Sequence, residues 1–202
     1  MKKAALMVLL VLLTISFALI GGCRTSGGSG GFEIISTDET PEAAKLVQEA
    51  NADLKKIKVL YEANEDKRQQ LKNAMESDNK DEVKKISDNV VQIINEGFDF
   101  AKSAVEKIQQ AEDMKINEDY KEYLRLKESA LTKQMEAFEQ YRQAARTLRD
   151  NYDPKNTQLR DKVKTDFEQR SENYRKIMET ARDYSSQAND LYKDTVRKQQ
   201  QQ

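Results

Sequence analysis

No histidine occurs anywhere in the 202 residues, tryptophan is equally absent, and the chain has a single cysteine, Cys23. Without histidine there is no common general base, no usual zinc or haem ligand, and no Ser-His or Cys-His nucleophile pair. The Glu-x-x-His motif that di-metal helical bundles use is missing for the same reason. A lone cysteine excludes an intrachain disulfide. Six of the seven glycines fall between Gly21 and Gly31, so no glycine-rich phosphate loop sits between a strand and a helix. Neither charge sign dominates: 34 Lys and Arg face 35 Asp and Glu, interleaved along the chain. A nucleic-acid partner would call for a basic face. Paired acids such as Asp38/Glu39 and Asp81/Glu82 stand at expected helix starts, where the macrodipole accounts for them. These absences predict a protein that is not an enzyme and uses no metal or cofactor.

What is there begins with a leader. Met1-Lys2-Lys3 is a positive n-region, and Ala4 to Ile20 is apolar apart from Thr14 and Ser16, the pattern of a secretion signal. An uncleaved signal anchor and an ordinary signal peptide are the other readings of such a stretch. It closes on Leu19-Ile20-Gly21-Gly22-Cys23, which resembles the lipobox of bacterial lipoproteins. The resemblance implies diacylglyceryl transfer to the Cys23 thiol, cleavage before it by signal peptidase II, and Cys23 as the first residue of the mature chain. Ile20 stands where that family most often has Leu. Arg24 follows the cysteine in place of the inner-membrane retention Asp of enterobacterial lipoproteins. The resemblance therefore implies the periplasmic face of the outer membrane in an organism with two membranes, and otherwise the outer face of the cytoplasmic membrane. Removing the leader with Lys2 and Lys3 leaves 32 basic against 35 acidic residues.

Three segments follow: a leader over 1–22, a lipidated cysteine and tether over 23–39, and a helical domain over 40–202. Arg24 to Gly31 reads Arg-Thr-Ser-Gly-Gly-Ser-Gly-Gly, a composition that cannot bury apolar surface. A coil from Cys23 to Thr40 reaches roughly 23 Å. Phe32-Glu33-Ile34-Ile35 interrupts it, either packed on the helical domain or touching lipid headgroups.

From Thr40 onward Gly97 is the only glycine, and the only prolines are Pro41 and Pro154, both where a helix is expected to begin. The punctuation predicts helices over 41–76, 80–113, 118–151 and 154–198. Thr40 is the expected cap of the first. Asn79 with Glu82 forms a capping-box pattern at the second, and Asn117 with Glu118 and Asp119 opens the third. Short connections predict an all-α, elongated, antiparallel up-down-up-down four-helix bundle with coiled-coil-like packing, about 50 Å long. A three-helix body with one helix detached, and a dimeric coiled coil, are compatible with the same seams.

Those seams alternate steps of three and four. Val47, Ala50, Leu54, Ile57, Tyr61, Asn64, Arg68, Leu71 and Met75 form one on the first helix. Lys127 and Gln134 fall in the corresponding stripe of the third helix and Arg170 in that of the fourth, while the second helix carries the widest apolar stripe and is expected to be the most buried. Asn64, Gln134 to Phe138 and Arg170 come out at similar heights, and Asn64, Arg68, Gln134 and Arg170 are the candidates for a polar core layer. Such a layer is a binding pocket or switch on one reading, and on the other a register device or side chains that snorkel to the rim. Gly97 on the second helix permits close approach or a kink. Eight tyrosines along the seams line a glycan- or peptide-binding groove on one reading and a wetted core edge on the other.

The expected function is that of a non-catalytic, lipid-anchored module of the bacterial cell envelope that engages an envelope protein or the cell wall. The alternative is a periplasmic carrier or sensor with a ligand site near the polar seam residues. The oligomeric state does not follow from the sequence.

Overall fold

Three asparagines decide where three of the four helices begin. A computed structural model of the chain describes residues 39–200, excepting the side chains of Asn64 and of 195–200. Leu19, Ile20, Gly21, Gly22, Cys23 and the tether through Asp38 lie outside the described residues, as does the Asn64 side chain. All the regular structure among the described residues is helical: α1 Thr40–Glu76, α2 Lys80–Glu112, α3 Glu118–Asn151 and α4 Thr157–Gln200. The Asn79 side chain accepts from the Glu82 amide at 3.2 Å, Asn117 from Tyr120 at 2.8 Å, and Asn156 from Leu159 at 3.1 Å. Each satisfies one of the orphan donors of a first turn.

Three local expectations are corrected. Thr40 is the first residue of α1 rather than its cap; Glu39 precedes the helix without a side-chain capping bond and instead accepts from the Lys115 amide at 2.7 Å. Glu82 does not complete the capping box, because the Asn79 amide is already used by the Ala74 carbonyl at 3.0 Å. The fourth helix starts at Thr157 instead of 154. Asp153-Pro154-Lys155-Asn156 closes as a turn with Asn156 N donating to Asp153 O at 3.1 Å, so proline takes the turn position its fixed φ favours, and the cap passes to Asn156.

Neighbours in sequence are neighbours in space: α1 packs on α2, α2 on α3 and α3 on α4, whereas no Cα of α1 lies within 8 Å of a Cα of α4 among the described residues. Cross-helix partners rise in number on one helix as they fall on the next. Asp53 meets Lys107, while Leu71 and Val83 share a core cluster. Gln109 meets Glu128, Asn95 meets Arg142 and Asp88 meets Arg149. Tyr123 meets Tyr192, and Tyr141 meets Phe167.

The core is divided. One cluster gathers Leu71, Val83, Ile86, Val90, Ile94, Tyr141, Leu148 and Val163. The other gathers Val47, Ala50, Ala104, Ile108, Leu124 and Leu131. Between them α1 is shallow: from Leu54 to Gln70 none of its described side chains is buried, and Val59 is 65% exposed. The physical reason lies in the sequence of α1, which fills this stretch with polar residues and lacks the aliphatic stripe of α2. α2 supplies buried residues to both clusters, from Val83 to Ile94 and from Ala101 to Ala111.

Candidate functional site

Of the four residues proposed as a polar layer, the Asn64 side chain lies outside the described residues, and Arg68, Gln134 and Arg170 each have different surroundings. Arg68 is an exposed residue whose guanidinium Nη1 donates to Glu65 on its own helix at 2.9 Å. Arg170 is half-buried and engages Asp166, one turn earlier, at 2.9 Å, and Gln143 on α3 at 2.5 Å. Its partner across the helix interface is thus Gln143 and not Gln134. Gln134 lies in the wall of a small cavity at the waist of the bundle, together with Ile57, Leu60, Tyr61, Gly97 and Phe138. The physical reason for the dispersal is reach: long guanidinium side chains find carboxylates at the rim at lower desolvation cost than partners in the seam.

The waist cavity has a volume of about 30 Å³. That is room for about one water. Gly97 contributes to it by having no side chain. A Cβ there would meet only Leu60 Cδ1, at 4.0 Å, an ordinary contact, so Gly97 is not a site of close helix approach. α2 also runs through it as one continuous helix. The close-approach reading of Gly97 made from the sequence is therefore set aside.

Above the cavity, large rings fill the distance between α1 and α4. Phe138 on α3 stands edge-on to Tyr61 on α1 at 5.8 Å and to Tyr174 on α4 at 5.6 Å. Tyr141 lies against Tyr174 at 5.9 Å. Burial pushes the Tyr174 hydroxyl well above the ordinary tyrosine range, with the neighbouring Tyr61 adding to it. The Tyr141 hydroxyl is buried with no hydrogen-bond partner among the described residues.

Lys127 is where the seam keeps a cation. It is half-buried on α3, with Nζ donating to the Asn51 side-chain oxygen on α1 at 3.1 Å and standing 5.3 Å from the centroid of the Tyr123 ring. Tyr123 stacks on Tyr120 at 5.9 Å and meets Tyr192 of α4 at 6.0 Å. Burial pulls the Lys127 pKa down to about 8. Burial likewise pushes Tyr120 up to about 12, helped by Tyr123 and Tyr192, and raises Tyr123. The group joins α1, α3 and α4 at the end of the bundle where α1 begins.

Asp53, to which nothing in the sequence drew attention, is a buried charge. It is 5% exposed. Lys107 reaches it at 2.6 Å, Ser103 at 2.9 Å and Lys56 at 3.0 Å. Burial alone would raise its pKa, but the bonds from Lys107, Lys56 and Ser103 outweigh that and hold it at about 2. The only signal available beforehand was an acid one position from the seam residue Leu54. With its bonds satisfied within the α1–α2 interface, Asp53 acts as a structural pin.

The fold and this seam define an all-α, four-helix protein with a half-buried cation, Lys127, in a tyrosine cluster and without a carboxylate in ion-pair distance among the described residues. Comparison with protein families, curated proteins and solved structures finds no match for the chain.

Proposed function

We propose that this chain is a non-catalytic lipoprotein of the bacterial cell envelope, tethered to a membrane through lipid on Cys23 and acting through its helical domain as an interaction or structural module. In this reading the four helices form an antiparallel up-down-up-down bundle with coiled-coil-like packing, which the opposed numbering of the cross-helix partners supports. The leader, the lipobox-like Leu19 to Cys23 and the Gly/Ser-rich segment after it support the anchor. Two acyl chains, at about 0.8 kcal/mol per buried CH₂, hold such a protein on a bilayer stably.

The observation that carries the structural part is how the apolar surface is used. Val59 is the one large hydrophobic residue left exposed among the described residues. What the domain presents outward is a charged surface laced with ion pairs such as Arg175 with Glu172 and Lys133 with Glu136. A surface of this kind meets partners through polar contacts. The second reading, a carrier or sensor with a ligand site at the seam, is favoured by one observation, the carboxylate-free Lys127.

Growth with a clickable fatty-acid analogue tests the anchor. Label is expected on the wild-type chain and absent from Cys23→Ser, with the variant released from the membrane fraction. Equal label in both overturns the proposal.

A further inference from the structure

We infer that the cleft between α3 and α4 at Tyr184 binds a hexopyranose unit of an uncharged glycan, with the Tyr184 ring against the face of the sugar. The inference rests on the proposal that the helical domain is an interaction module, and is independent of the lipid anchor. The cleft has a volume of about 300 Å³ and is lined by Glu128, Ser129, Thr132 and Lys133 of α3 and by Tyr184 of α4. Small-molecule sites begin at about that size. Thr132 is exposed and the other four are half-buried, so the cleft reaches solvent. Tyr61, Tyr123, Tyr141 and Tyr174 each lie against another aromatic ring. Tyr184 makes no ring or cation–ring contact among the described residues.

The polar groups narrow the class. Thr147, Thr165 and Ser185 turn their hydroxyls back onto carbonyls of their own helices at 3.1, 2.9 and 3.0 Å. The hydroxyls of Ser129, Thr132 and Tyr184 make no hydrogen bond among the described residues. Glu128 accepts from Gln109 at 2.6 Å through one oxygen, which leaves the other as an acceptor. Lys133, whose ammonium lies near the Tyr184 hydroxyl, donates to Glu136 at 2.6 Å and keeps further N–H donors. One acid and one base line the cleft, so an anionic ligand meets Glu128 and a cationic one meets Lys133. A neutral, purely apolar ligand would use the ring and leave three hydroxyls without roles. An uncharged sugar offers C–H groups on one face for the ring and hydroxyls at its rim for donors and acceptors of both kinds. Because the cleft is open outward, the sugar's outer hydroxyls stay free for glycosidic links, which favours a chain over a free monosaccharide.

Saturation-transfer NMR on the full chain in detergent micelles, with cellotetraose, mannotetraose and chitotetraose as uncharged probes, tests the inference. Transfer is expected to at least one of them, with affinity about fourfold or more above that of its own monosaccharide, since four units can enter one cleft. Affinity for tetragalacturonate is expected to be at least about tenfold weaker, because its carboxylates meet Glu128. Tyr184→Ala is expected to weaken binding about tenfold and Tyr184→Phe about threefold. Thr132→Gln, which fills the cleft from an exposed position and leaves the core untouched, is expected to weaken it at least about tenfold. Absence of transfer to all three tetraoses overturns the inference. So does a monosaccharide or tetragalacturonate bound as tightly as the best tetraose, or full retention in Thr132→Gln. The wild-type comparison of probes decides the matter even where a variant fails to fold. Failure of transfer leaves the Cys23 label in place, and loss of the label leaves the sugar result in place, so the two proposals fail separately.

Discussion

The hydroxyl of Tyr152, just beyond the end of α3, lies 2.8 Å from the Asp78 carboxylate in the turn between α1 and α2, and 3.1 Å from the Met75 carbonyl. Asp78 is the one non-glycine residue with a left-handed backbone among the described residues, at φ 52°, a conformation that Asp tolerates better than most. Its pKa is lowered chiefly by the bond from Tyr152, with Lys164 and Arg160 of α4 adding to it. One phenol therefore connects two turns at the same end of the bundle. Removing it in Tyr152→Phe is expected to cost about 2 kcal/mol, the scale of a hydrogen bond to a charged group. Tyr141→Phe is the internal contrast, because Tyr141 is 2% exposed and its hydroxyl has no partner among the described residues. It is expected to be neutral or to stabilise by about 1 kcal/mol. Urea denaturation of both variants checks the pair; equal losses would count against the assignment of the two hydroxyls.

Asp53 makes stability depend on acid. Its folded pKa of about 2 lies below the ordinary 3.8, so its contribution is present above pH 3.8 and is lost as pH falls towards 2. The difference corresponds to about 2 kcal/mol. Asp53→Asn is expected to lose that much at pH 7 and to flatten the acid limb of the stability profile. Denaturation midpoints at pH 7 and near pH 2 measure both effects.

Lys127 acts in the opposite sense. Its folded pKa of about 8 lies below the ordinary 10.5, so the unfolded chain binds the proton more tightly. The penalty is fully present below pH 8 and is relieved as pH climbs towards 10.5, so stability rises across that window. Above pH 10 the buried tyrosines reverse the trend: Tyr120 and Tyr152, both raised to about 12 in the fold, ionise first in the unfolded chain. Lys127→Met is expected to be more stable than wild type at pH 7 and to lack the rise between pH 8 and 10. Parallel slopes for the two proteins would show that Lys127 is not the origin.

Gly97→Ala is expected to stabilise the protein by about 1 kcal/mol, the difference between the two residues in a helix interior. The added methyl enters the waist cavity at ordinary contact distance from Leu60. A thermal melt reads the gain. A fall in melting temperature would mean that the glycine is needed for an approach the static packing does not reveal.

Much of the fold was legible because it follows from local chemistry. Asn79 and Asn117 read as caps because a short side-chain oxygen can reach an unpaired amide wherever a helix starts there. The α2 stripe from Val83 to Ile108 read as buried because an apolar residue recurs in every turn. Ala130, Ala137 and Ala144, all buried on α3, were not read as core, since alanine is too weakly apolar to mark a face unless its neighbour is known. Pro154 misled for a related reason: proline suits both a first helical turn and a β-turn, and only the capping bond of Asn156 separates the two.

What the sequence alone determined, then, was the helical class, the approximate length of each helix and its most strongly apolar faces, because backbone capping and periodicity act over a few residues. Which polar seam residues stay inside was decided only by the tertiary structure. Arg68 and Arg170 occupy seam positions by count yet turn to Glu65, Asp166 and Gln143, whereas Lys127, equally polar by count, remains among tyrosines. A long cation settles where desolvation is balanced by the partners within its reach, some a turn away on its own helix, as Glu65 and Asp166 are, and some on another helix, as Gln143 and Asn51 are.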